Sequence, residues 1–178
     1  MKSLQTIQKT FRVFQILTKI AMILTFVWAG LSLLGMLCGA VWYCSGTVTG
    51  AGRDILYFLT ETRGLAEMEG ILLSDTIFAL ADGIVLVFAF RYFKMEQADG
   101  TPFTKQGAEE IKRLGIRVIV LPLVSVILSA IVCAVFQLPQ NANGNWNSPA
   151  GIAIGIVFII ASLIFRYGAE LEERTEIS

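Results

Sequence analysis

The chain alternates between long apolar runs and shorter polar segments. Ile20 to Tyr43 carries no charge. Ile71 to Phe93 is apolar except for Asp75, Asp82 and Arg91, and Leu114 to Phe136 except for Arg117. Ala150 to Tyr167 is shorter and uninterrupted until Arg166. A hydrocarbon layer of about 30 Å takes roughly 20 such residues as a helix. The pattern predicts an all-α, integral membrane four-helix bundle with spans 20–43, 71–93, 114–136 and 150–167, forming one membrane domain. Segments 44–70, 94–113 and 137–149 connect the spans, and a tail, 168–178, follows. Ser148-Pro149 reads as an N-cap followed by proline at the first helical position.

Before the first span, Leu4, Ile7, Phe11 and Phe14 recur at helical spacing, with Lys2, Lys9 and Arg12 elsewhere on the wheel. This predicts an amphipathic helix resting on anionic headgroups. A cleaved signal peptide is the competing reading of this end. The apolar run is too long for one, and no small-x-small cleavage site follows it.

Charge orients the spans. Lys2, Lys9, Arg12 and Lys19 precede the first. Arg91, Lys94, Lys105, Lys112, Arg113 and Arg117 flank the 94–113 segment, and Arg166 and Arg174 follow the fourth span. Only Arg53 and Arg63 fall in 44–70, and no basic residue falls in 137–149. The positive-inside rule therefore predicts that both termini and the 94–113 segment are cytoplasmic.

Composition removes several chemistries. The 178 residues are 55% apolar, with a mean hydropathy of +0.69. Fourteen basic residues balance fourteen acidic ones, so net charge gives no reason to expect direct nucleic-acid binding. There is no histidine, which excludes Ser-His-Asp catalysis and imidazole metal sites. Cys38, Cys44 and Cys133 are too scattered for a thiolate metal site. No cofactor or metal is expected, and nothing suggests an enzyme.

The most polar stretch, "DGTPFTKQGAEEIKRLG" (Asp99 to Gly115), lies between the second and third spans. Gly100 and Pro102 are turn residues. Thr104 is placed as an N-cap, with Phe103 packing on Ala108 as a hydrophobic staple. Gly107 stands where a capping-box acid would sit, so the box is incomplete. Glu109 with Lys112 and Glu110 with Arg113 are i,i+3 pairs. The helix is expected to run on into the third span, with Ala108, Ile111 and Gly115 near one face and Leu114 bordering it. An ordinary capped connection and a docking surface fit these residues equally.

This stretch and "IFRYGAELEE" near the C-terminus together resemble the bacterial family labelled domain of unknown function 2975. The matching residues are Gly100, Pro102, Phe103, Thr104, Leu114 and Gly115, then Phe165, Arg166, Gly168, Ala169, Leu171 and Glu173. The ending "RTEIS" departs from the family pattern. The resemblance implies a small four-span protein of the bacterial inner membrane without enzymatic activity. Such proteins are often encoded beside a small helix-turn-helix DNA-binding protein. It therefore implies a regulator that binds or sequesters such a transcription factor, through Pro102, Phe103, Thr104, Leu114, Arg166, Gly168 and Leu171.

Inside the membrane, Asp75 and Asp82 lie seven residues apart on one face of the second helix. A carboxylate in hydrocarbon is expensive unless protonated, paired or wet. Ser125, Ser129 and Cys133 form a stripe on the third helix, and the two faces are expected to meet, with hydroxyls donating to carboxylates. Arg117 is too near the membrane edge to reach Asp82 and is expected to snorkel. Polar glue in a bundle explains the pair; a small proton-linked transporter or channel component is the functional alternative.

Gly35 with Gly39 and Gly151 with Gly155 are G-x-x-x-G pairs, which permit close helix approach within the bundle or in a homo-oligomer. Cys44 and Cys133 fall at similar depth; two separate small apolar residues are expected rather than a disulfide. In 44–70, Ile55, Leu56, Phe58 and Leu59 are apolar enough to lie on the bilayer, while Asp54, Glu61, Glu67 and Glu69 match no calcium loop. Trp146 suits an interfacial anchor.

Overall fold

The computed structural model describes residues 2–45, 64–99, 104–139 and 149–176. Among these residues the fold is all-α. Helix α1 spans Lys2–Ser45, α2 Leu65–Asp99, α3 Lys105–Val135 and α4 Pro149–Glu176. Each contains a stretch long and apolar enough to cross a bilayer: Arg12–Val41, Ala66–Gln97, Lys105–Val135 and Ile152–Glu170. These four helices among the described residues make the chain a multi-pass membrane protein by length and composition.

The helices exceed the predicted spans at several ends. Of the 94–113 segment, 94–99 belong to α2 and 105–113 to α3. Glu67 to Gly70 belong to the first turns of α2, with Glu67 near the positive end of the helix dipole. Proline does stand first in α4. The 168–178 tail is helical through Glu176.

The largest difference lies at the N-terminus. The amphipathic segment is not a separate surface helix, since α1 runs unbroken for 44 residues, roughly 66 Å at 1.5 Å per residue. Phe14, expected to face headgroups, instead stacks on Phe93 of α2 at 5.9 Å between ring centres. The ring stays about half exposed, so one side packs on Phe93 while the rest is open. The side chains of Leu4, Ile7 and Phe11 lie outside the described residues.

The residues pack as two compact units. One comprises Met1–Ile23, Gly83–Leu121 and Ser148–Ser178. Its core is Tyr92, Ile111, Leu114 and Val118, with Val85, Phe88, Ala89, Phe158, Ala161 and Phe165 packed around them. Here α3 and α4 cross closely. A side chain on Gly115 would meet the Gly155 carbonyl at 2.9 Å, and one on Gly155 would strike Ile119. Glycine at both positions lets the backbones touch, the usual device where lipid supplies no hydrophobic drive between helices. Gly155 thus uses its G-x-x-x-G motif within the chain, against Gly115 rather than against a second such motif.

The other unit comprises Leu24–Asp82 and Pro122–Asn147. Met68 and Leu72 of α2 are buried with Met36 of α1 beside them. Small residues, Ala29, Ser32 and Gly39, form the buried stripe of α1. Helix α3 ends in a Schellman motif. The Leu138 amide donates to the Cys133 carbonyl and the Gln137 amide to that of Ala134, while Gln137 takes the left-handed conformation at φ 54°. The apolar 55–59 run and Trp146 lie outside the described residues.

Candidate functional site

Two polar sites stand out, one in each unit. The first is built where α3 begins. The Thr104 hydroxyl accepts the Gly107 amide at 2.9 Å, and the Ala108 amide donates to the Thr104 carbonyl at 3.0 Å. This is the N-cap expected from the sequence. Phe103, the staple residue, lies outside the described residues, as do Gly100 and Pro102.

The space of the missing capping-box acid is filled from another helix. Glu96, in the last turns of α2, is only 2% exposed. Its carboxylate occupies the space beside Gly107, so a side chain there would run into Glu96 Oε1 and approach Thr104 Oγ1 at 2.9 Å. A carboxylate at that place lies at the positive dipole end of α3. Tyr92, one turn earlier on α2, interacts with the same carboxylate. Sequence reading missed Glu96. The signal available was glycine at the third helical position, which leaves room for an acid brought from elsewhere.

The ion pairs of α3 differ in one respect from expectation. Arg113 binds Glu110 at 3.2 Å as expected. Glu109, expected to pair with Lys112, turns to Arg113 at 3.5 Å. Lys112 is exposed and has no ion pair among the described residues. Arg117 lies over the Phe88 ring at 3.7 Å in a cation–π contact.

The segments carrying the resemblance come together in this unit. Lys105, Ala108, Glu109 and Lys112 of α3, with Ser162, Leu163, Arg166 and Glu170 of α4, line a groove of about 390 Å³. Arg166 is exposed and binds Glu170 at 3.2 Å. Gly168 is half-buried. Leu114 corrects the sequence reading: at 3% exposure it is core and cannot contact a partner. It sits on the buried face of α3, with Ile111 and Val118. Leu171 lies in α4, but its side chain is outside the described residues. Phe165 and Ala169 serve packing.

The second site is the polar interior of the other unit. Ser32, Ser74, Thr76, Ser125 and Ser129 are all buried. Ser125 and Ser129 face inward on α3, but neither hydroxyl donates to an aspartate as expected. Ser129 donates to Ser74 at 2.9 Å, and Ser125 donates back to the Pro122 carbonyl at 2.8 Å. The geometric reason is simple. Neighbouring helical residues differ by about 100°, and Ser74 rather than Asp75 lies on the face turned to α3. The Ser125 bond is the local back-bond that a helical serine makes to a carbonyl of its own preceding turn. Asp75 and Asp82 are half-buried, with one Asp82 oxygen fully shielded. Cys133 is a free thiol, 3.7 Å from the Ser74 hydroxyl. The Cys44 side chain is outside the described residues.

No family model matches the chain, and no curated protein or solved structure does so either.

Proposed function

We propose that this is a non-enzymatic regulatory protein of a bacterial inner membrane, with both termini and the α2–α3 connection in the cytoplasm. It binds a cytoplasmic helix-turn-helix DNA-binding protein at the surface shared by the start of α3 and the end of α4. One observation carries the reading: Lys105, Ala108, Glu109 and Lys112 of the first resembling segment and Arg166 and Glu170 of the second line a single groove in one packed unit. The basic residues around these segments support the orientation. The class of partner comes from the resemblance alone.

The test is crosslinking in the native membrane, purification of the tagged chain and mass spectrometry of what stays bound. A small DNA-binding protein, lost from Phe103→Asp and Leu171→Asp variants that still fold, is the expected result. Recovery of intact protein with no such partner would end this reading.

The polar unit supports a second reading, a proton-linked transporter or channel component. Five buried hydroxyls and a shielded Asp82 oxygen share one unit, and intramembrane carboxylates of this kind mark ion paths in other proteins. On this reading Asp82→Asn abolishes a proton flux in reconstituted vesicles without unfolding the protein. Equal flux from variant and parent would leave Asp82 a structural residue.

A further inference from the structure

The α3–α4 groove has two levels. Its rim is charged, with Lys105, Glu109, Lys112, Arg166 and Glu170; its floor is Ala108 and Ser162, with Leu163 exposed beside them. Both carboxylates of the rim are already held by arginines, Glu109 by Arg113 and Glu170 by Arg166. Lys112 makes no ion pair among the described residues, so its charge is open to a ligand. Further into the spans the outward surfaces are bare and apolar: Ile116 and Val120 on α3, Ile160, Leu163 and Ile164 on α4. The cations thus sit at the boundary where apolar helix surface gives way to charge.

A ligand that satisfies both levels has an anionic head and an apolar tail. A soluble acidic peptide would meet the rim and leave the apolar wall uncovered. We propose that the groove binds the headgroup of one anionic phospholipid. The phosphodiester oxygens accept hydrogen bonds from Lys112 and Arg166 beside the charge of Lys105. The Ser162 hydroxyl already donates to the Ile159 carbonyl at 2.6 Å, so its oxygen accepts a bond from a glycerol hydroxyl. The acyl chains run along Leu163 and Ile116. Basic pockets between transmembrane helices suit such headgroups, because a low-dielectric wall sharpens each charge while the tails stay in hydrocarbon. The proposal does not rest on the partner reading, since a headgroup can enter the groove on either face of the membrane.

Native mass spectrometry of the full chain decides it, after release from mixed micelles holding equal phosphatidylglycerol and phosphatidylcholine. We expect one retained phosphatidylglycerol, favoured over phosphatidylcholine. Lys112→Gln and Arg166→Gln should each lower that retention about fivefold. Lys112→Arg should keep it, and Lys19→Gln, a basic change outside the groove, should leave it unchanged. Lys112 makes no ion pair among the described residues, so its variant carries the test if Arg166→Gln fails to fold. Equal retention of the two lipids, or equal losses in Lys112→Gln and Lys19→Gln, would overturn the proposal. So would displacement of the lipid by inorganic phosphate, which would assign the cations to an anion from solution.

Discussion

Thr104, Gly107 and Glu96 make a small device whose parts can be separated. Thr104→Ala removes the cap and should destabilise the protein by about 1 kcal/mol, read as faster hydrogen exchange at the amides of residues 105–108. Gly107→Ala should be worse than its helix propensity suggests, because the new methyl takes the place of the Glu96 carboxylate. In a Glu96→Ala background the same change should lose most of its penalty, giving a double-mutant coupling of at least 0.5 kcal/mol or so. Purely additive effects in mixed micelles would show that the two residues do not share that space. Gln137 offers the opposite sign. A non-glycine residue at positive φ is strained, so Gln137→Gly should stabilise the end of α3 by up to about 1 kcal/mol. The cap was legible in the sequence because its rule is local. Glu96 was not, since its role depends on which helix end it reaches across space.

Each helix shows how its buried face was marked. Along α3 the buried positions include Ala108, Ile111, Gly115, Val118, Ser125, Ser129 and Cys133, spaced three, four or seven apart. In a water-soluble protein such a face would stand out as apolar against polar. Here both faces are apolar over much of the span, and small or weakly polar residues mark the inside. That is why the spans are easy to read while the pairing is not: the serine stripe stands out, but nothing local says that Ser74 rather than Asp75 faces it. Gly155→Leu should drive α3 from α4 and unfold the first unit at lower denaturant. Gly30→Leu, where nothing lies within 4 Å of the missing side chain, should be nearly silent. Ser129→Ala should destabilise by roughly 0.6 kcal/mol, typical of such bonds between membrane helices. A loss of several kcal/mol would give the Ser129–Ser74 bond a larger role than polar glue.

At the scale of the molecule, the spans differ in how much protein surrounds them. Over the most apolar window of each, 39% of residues are buried in α2, 28% in α3, 17% in α4 and 11% in α1. Among the described residues helix α2 carries more of the buried polar side chains than any other helix, and α1 is the least buried span. Orientation is a property of the whole chain, and impermeant maleimide reads it. A cysteine at Lys112 in a cysteine-free background should react only after the inner face is exposed; labelling of intact cells would invert the topology. The small-residue stripes carry a consequence for how tolerant this sequence is to change. Outward positions such as Val120, Leu123, Val124, Ile127 and Leu128 are interchangeable letters, since lipid accepts any apolar shape. The identity of the fold is spelled by a short, sparse alphabet of glycine, alanine and serine. Two chains could therefore share this architecture while agreeing at few positions, and a comparison that weighs every residue equally would be listening mostly to the silent ones.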